Sequence, residues 1–435
     1  MTGEWPERGP EDTLPRPSGG GHPVRISVAD DLERSRVTVF FRLILAIPHL
    51  IWLFLWGLPT ALFAIVNWFA VLFRGTSPND LHELLARYIR YATHVNAYLS
   101  LAAQPYPRFL GTEGTYPVDV HFDPPGRQNR WKTGFRLILA IPAVLLAGAL
   151  YGSGGARGNG YTVSLGLLAA ASFLGWFACL ARGRMPRGLR DAAAYALAYS
   201  AQLDAYLLVL TDRYPDSDPV ATLGPAEVPE HPVELSVDDD LRRSRLTVFF
   251  RLVLTFPHFV WLVLWSIVAW VTAFINWLVT LIRGTPPSAL HGFLSSYVRY
   301  QLHVTSFLYL IGNPFPGFVG REGTYPIEVR IGPPQRQNRW KTGFRLILAI
   351  PAFVIGSAYS SLISIAAVLL WFASLFTARA PRGLRNAGVA AQSYTAQLTS
   401  YLFLLTDRYP YSGPVLRGMA ATPAAAEHPA PPAQA

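Results

Sequence analysis

The chain has 435 residues, of which 51% are hydrophobic, 13% aromatic and only 15% charged. Soluble domains usually carry about 25% charged residues, so these proportions exclude a disordered polyelectrolyte and speak against an ordinary soluble enzyme. The net charge of +10 comes almost wholly from arginine, and beside long apolar stretches it points to an anionic lipid surface rather than to nucleic acid.

Residues 1–22 are polar and rich in Pro and Gly, which suits a disordered tail and supplies no apolar core for a cleavable signal. The alternation Val24, Ile26, Val28 then predicts a short, half-buried strand. After the charged run DDLERSR comes a stretch without any charge from Leu43 to Phe73, opened by FRLILAIPHL at Phe41. Apolar runs of roughly 18 residues or more are candidates to span a membrane. The turn RGTSPNDL leads to Leu81, Leu84, Leu85, Tyr88, Ala92, Val95 and Leu99 at helical spacing, an amphipathic pattern suited to the membrane interface.

The same series of pieces returns three times. FRLILAIPAV begins at Phe135, FRLVLTFPHF at Phe250 and FRLILAIPAF at Phe344, and copies one and three, like copies two and four, lie 209 residues apart. Alternating segments at Val118–Phe122, Val233–Val237 and Ile327–Ile331 predict three more strands. Internal repetition on this scale decides architecture before local detail does. It divides the chain into a disordered tail 1–22, a first half 23–215 with repeats 23–107 and 115–215, and a linker 216–231. A second half, 232–410, contains repeats 232–316 and 324–410 and precedes a disordered tail 411–435.

As a single helix the first block would be about 55 Å long at 1.5 Å per residue, against about 30 Å of hydrocarbon. Gly57 and Pro59, the Gly152–Gly160 cluster and the Gly356–Ser361 stretch lie near block centres, whereas the block around Ser266 has no such breaker. The expected class is therefore a mainly α, polytopic membrane protein. Each of four pseudo-repeats would pair a transmembrane helical hairpin with an interfacial amphipathic helix, with short cytoplasmic β-strands between repeats. Eight spans are expected, and twelve are the alternative because Asn386–Thr406 carries no charge. Nearly every arginine and both termini would then lie in the cytoplasm, in a multi-pass protein of the cell membrane. The four strands could pair there into one small sheet.

Arg42, Arg136, Arg251 and Arg345 hold the same position in every repeat, just inside the apolar block. A planar guanidinium there suits a lipid head group, and snorkelling to the interface is the plainer alternative. Arg130, Trp131 and Lys132, with Arg339, Trp340 and Lys341, belong to two RQNRWKTG runs that read as interfacial anchors, as an anionic-lipid site, or as both. His49, Asn67, His258 and Asn276 occur only in odd repeats. Polar groups at membrane depth can line a pathway, though they more often join helices by hydrogen bonds. His82 and His94, like His291 and His303, are twelve residues apart, too far for one metal without further ligands, and are expected to be solvated or interfacial. No nucleophile–base set, carboxylate pair or phosphate-binding loop is present, so no catalytic residue, metal or cofactor is assigned. The one cysteine, Cys179, allows no intrachain disulfide and reads as a small packed residue.

The segments FRLILAIPHLIWLF from Phe41 and TYPVDV from Thr115, with their counterparts Phe250–Leu264 and Thr324–Val329, resemble the bacterial membrane proteins carrying domain of unknown function 4389. The similarity runs over nearly everything from Pro23 to Pro410. It implies an integral membrane protein and brings no activity with it. The expected function is non-enzymatic: to organise anionic lipid, or to recruit a partner protein or a second copy, at the cytoplasmic face of the inner membrane. A transporter or channel between the pseudo-symmetric halves is the alternative.

Overall fold

Breaking a helix inside apolar surroundings strands backbone N–H and C=O groups, at a cost of several kcal/mol for each. The computed structural model, which describes residues 21–152, 154–157, 160–163, 165–224 and 228–415, follows that rule. Repeat one consists of β1 (Val24–Val28), α1 (Arg36–Arg74) and α2 (Asn79–Leu99). Repeat two has β2 (Val118–Phe122), α3 (Arg130–Gly134), α4 (Arg136–Tyr151), β3 (Gly154–Arg157), β4 (Gly160–Val163), α5 (Leu167–Arg182) and α6 (Arg187–Leu207), and is followed by α7 (Pro219–Leu223). Repeat three has β5 (Val233–Val237), α8 (Arg245–Phe249), α9 (Arg251–Arg283) and α10 (Ser288–Leu308). Repeat four has β6 (Ile327–Ile331), α11 (Arg339–Gly343), α12 (Arg345–Thr377) and α13 (Arg382–Leu402).

The expected hairpins are not formed in repeats one, three and four, where the apolar block is one helix of 39, 33 and 33 residues. Gly57 does not turn the chain. A Cβ there would meet the Tyr88 hydroxyl oxygen of α2 at 3.2 Å, so the missing side chain lets two helices close on each other. Gly356 does the same against Leu398 of α13, also at 3.2 Å. Pro48 and Pro59 sit inside α1, and the Tyr106 hydroxyl donates to the Leu45 carbonyl at 3.1 Å, in the turn that Pro48 disturbs.

Repeat two is interrupted but not reversed. A Cβ on Gly166 would lie 2.0 Å from the Gly152 nitrogen, so the ends of α4 and α5 abut. The Trp68 indole near the end of α1 donates to the Thr133 carbonyl before α4, and the Trp176 indole of α5 donates to the Val39 carbonyl near the start of α1. Together α4 and α5 therefore retrace the length of α1, while β3 and β4 loop out between them. Arg345 follows Arg136 by 209 residues but Arg379 follows Arg184 by only 195, so repeat two carries fourteen residues that repeat four lacks.

Each long helix packs against the shorter helix that follows it, and the strands cover the far side. In α2, Tyr91 and Tyr98 meet His49 and Arg42 of α1. Its opposite face presents Ala86 and Ile89 to Val24 and Val120, and His94 to Asp119. The result is three layers: long apolar helices, short amphipathic helices, strands. Covered on both sides, the short helices are largely buried rather than laid on an interface as expected.

All four strands lie where the alternation predicts them, but they do not share one sheet. β1 pairs antiparallel with β2, with Val24 opposite Phe122, and β5 with β6, with Val233 opposite Ile331. Each ribbon covers the helix pair of its own half, which keeps the two ribbons apart. The presumed linker 216–231 contains α7, whose capping residue Asp218 also accepts from Asn386 at 2.6 Å and so ties the halves together. Tyr411 donates to Asp191 at 2.7 Å and Val415 is buried, so the chain stays packed five residues into the presumed C-terminal tail. The rest of both presumed tails, 1–20 and 416–435, lies outside the described residues.

Candidate membrane-facing surface

Each short helix ends beside a left-handed residue that is not glycine: Leu101 (φ 61°), Val209 (64°), Leu310 (61°) and Leu404 (61°). Such backbone is strained for a β-branched or bulky side chain, and it turns the last carbonyls of the helix toward the long helix. The recurring arginine collects them. Arg42 donates to the carbonyls of Tyr98 (2.5 Å) and Ala103 (3.1 Å) and to Gln104 (2.9 Å). Arg136 donates to Tyr206, Thr211 and Gln128, Arg251 to Phe307, Gly312 and Asn313, and Arg345 to Tyr401, Thr406, Gln337 and Asp407. Each guanidinium also covers an aromatic ring, at 4.3 Å for Tyr98, Phe307 and Tyr401 and 4.6 Å for Tyr206. A cation at a helix C-terminus meets the negative end of the helix dipole.

A second donor holds the carbonyl of the left-handed residue itself. Arg34 takes Leu101 and Arg243 takes Leu310, each neutralised by a buried aspartate, Asp30 at 2.6 Å and Asp239 at 2.8 Å. In the even repeats Gln128 takes Val209 and Gln337 takes Leu404. Arg42, Arg136, Arg251 and Arg345 are thus buried with their terminal nitrogens engaged by protein acceptors. They offer nothing to a lipid head group, and they do not snorkel.

The four pathway candidates also serve packing. His49 hydrogen-bonds the Tyr91 hydroxyl at 2.7 Å and stacks on Phe109; His258 does the same with Tyr300 at 2.8 Å and Phe318. Asn67 donates to the Leu208 and Val209 carbonyls and accepts from Ser77, while Asn276 donates to the Phe403 carbonyl. The asparagines thus fasten α1 and α9 to the end of the next repeat's short helix. They do not gather with the histidines around one opening.

His82, His94, His291 and His303 are buried, not solvated or interfacial as expected, and at His94 and His303 the strand layer supplies the cover. His94 pairs with Asp119 at 2.8 Å, and Arg90 reaches Glu113 (3.1 Å) and the Val120 and Gly111 carbonyls. The second half builds the same cluster from Arg299 and Glu328 (2.8 Å), His303 and Glu328 (3.4 Å), and Glu322. Burial works to raise the Asp119 carboxyl, but His94 and the N–H groups of Gly114 and Val120 outweigh it and hold the pKa below the usual value. Glu328 is likewise pushed up by burial and held low overall by His303, Arg299 and the Gly323 N–H. In the sequence these carboxylates are legible only as an acid repeated at matched positions, 25 residues after a repeated histidine.

The remaining candidates face outward. Asn129 caps α3 by accepting from the Trp131 and Lys132 N–H groups, and Asn338 caps α11 in the same way. That presents Trp131 and Trp340, each 78% exposed, beside exposed Arg130, Lys132, Arg339 and Lys341. Along α1 the side chains of Ile44, Ile51, Leu55, Leu62, Phe69 and Phe73 fall on one helical face, and all are exposed. Among the described residues α1, α9 and α12 are long and apolar enough to cross a membrane. An uncovered apolar surface of this extent is foreign to soluble monomers.

A family model described as Domain of unknown function (DUF4389) matches the chain four times, over residues 36–111, 161–217, 245–319 and 339–412. Every match takes in a short helix of the second layer together with all or part of the apolar rod before it. No curated protein and no solved structure matches the chain. The four matches cover well over half of the residues, and the chain accordingly belongs to the family defined by domain of unknown function 4389.

Proposed function

We propose that the protein is a non-enzymatic membrane protein that gathers anionic lipid at the cytoplasmic face of the cell membrane and leaves its strand layer free to dock a partner. The observation that carries this reading is the joined surface of exposed apolar side chains on the long helices and exposed Arg-Trp-Lys clusters at α3 and α11. Apolar side chains supply affinity for hydrocarbon, tryptophan prefers the interface, and basic clusters favour anionic leaflets.

The test is partition of the purified chain between vesicles of phosphatidylcholine alone and vesicles also containing phosphatidylglycerol. Anionic vesicles are expected to win. Each basic residue near such a surface contributes about 1 kcal/mol, so the variant R130Q/K132Q/R339Q/K341Q is expected to lose that preference by on the order of 100- to 1,000-fold at low salt while still binding neutral vesicles. Equal partition of the unaltered chain between the two vesicle types would sink the proposal.

A further inference from the structure

We infer that the long helices lie in the plane of the membrane, embedded in one leaflet, and do not cross it. The inference rests on the membrane reading above and goes beyond it by assigning the occupant of the apolar face: the acyl chains of a single leaflet.

Four observations lead there. The exposed apolar side chains of α1 run from Val37, 69% exposed, to Phe73, 72% exposed. That is about 54 Å along a helix, while the hydrocarbon core is about 30 Å thick. Upright, the helix would hold phenylalanines and valines in water at its ends.

The second observation concerns what lies beside the helices. The strand ribbons and their charged clusters stack against the middle of the short helices, on the side away from the long ones. Arg90 and His94 sit there with Asp119, and the Glu83–Arg87 pair is about half exposed, at 55% and 56%. If α1 crossed the bilayer, these groups and the ribbon edges would lie at hydrocarbon depth, where open strand edges do not occur and charges are costly. With α1 flat, the three layers become depth: apolar helices in the acyl chains, amphipathic helices behind them, strands in water.

Third, β3 and β4 loop out of the middle of the α4–α5 rod as a two-stranded ribbon. In a crossing helix that places open strand edges near the bilayer centre, where they do not occur. In a flat one the midpoint has no special depth.

Fourth, exposed cations mark both ends of every rod: Arg36 and Arg74, Arg130 and Arg182, Arg245 and Arg283, Arg339 and Arg379. A crossing helix would set these two exposed ends on opposite sides of the bilayer, whereas a flat rod holds both of its ends at the head groups of the same leaflet. Residues 21 and 415, the ends of the described chain, then stay on one side without any hairpin.

Depth measurement tests this. In a Cys179→Ala background, single cysteines replace Ile44, Leu62 and Phe73, all exposed on one face of α1. Each is labelled with an environment-sensitive fluorophore and the full chain is reconstituted in vesicles carrying quenchers at shallow or deep acyl positions. The flat arrangement predicts the same depth at all three sites. Leu62 deep with Ile44 and Phe73 shallow would overturn it, and so would Ser35→Cys and Asn79→Cys reacting with an impermeant maleimide from opposite sides of the membrane. The flat arrangement requires both of those cysteines to react from the same side only. If none of the three fluorophores is quenched by lipid, the membrane reading itself fails, which separates the two ideas.

Discussion

Arg345 shows how one side chain can be misjudged from sequence. Just inside an apolar block, a guanidinium can reach head groups, and its recurrence in all four repeats favours a shared duty. The shared duty is internal: it gathers carbonyls at a helix end 56 and 61 residues away. Arg345→Ala would take a charge-assisted donor from those carbonyls and from the Gln337 side chain in a buried place, where an unsatisfied group costs about 1–3 kcal/mol. We expect it to lower stability by about 2–4 kcal/mol, read as the unfolding midpoint in detergent, with Arg345→Lys recovering less than half because an ammonium lacks the fork. A head-group contact would instead leave the detergent midpoint unchanged. The buried acids give a pH signature. Asp119 and Glu328 are held below their ordinary values of 3.8 and 4.5, so they stabilise the fold above those values and lose that contribution as pH falls through their lower folded pKa values. The unfolding midpoint should therefore drop below about pH 4, and Asp119→Asn should be less stable at neutral pH with a shallower acid limb. A midpoint flat from pH 6 to pH 3 in the unaltered chain would contradict the buried clusters.

Among elements, strands and short helices were legible because period-two alternation and 3.6-residue spacing are properties of a few neighbouring residues. The path of the apolar blocks was not. A glycine in a greasy run can mark a turn or a close helix contact, and only the partner across the gap, Tyr88 for Gly57 and Leu398 for Gly356, distinguishes the two. Strand pairing was hidden for the same reason, since either ribbon or one shared sheet satisfies the same alternation. The looped-out segment of repeat two offers a direct test of the rod. Deleting residues 152–165 joins Tyr151 to Gly166 in the register that repeat four already uses. The shortened chain is expected to fold, with an unfolding midpoint within about 1 kcal/mol of the parent and a slight rise in helix content by circular dichroism. If α4 and α5 were two antiparallel arms of a hairpin, the deletion would remove their turn and prevent folding.

Across the whole molecule, the halves are joined through α12, which packs on α4 and α5 with Ala143, Leu146, Ala352 and Ile355 in one core. A chain ending at residue 224 would leave that face bare while keeping its own copy of the repeat pair. It is expected to elute in detergent as a dimer or larger, and a stable monomer of the half would count against a single core. What the sequence by itself determined was the fourfold repeat, the family, the four strands and the presence of faces that must avoid water, because each follows from composition and short-range period. Only the tertiary structure decided that the apolar blocks run straight, that the recurring arginines turn inward and that the Arg-Trp-Lys clusters remain outside. Those outcomes depend on which distant backbone groups are left without a partner when the layers close, and no local pattern records that.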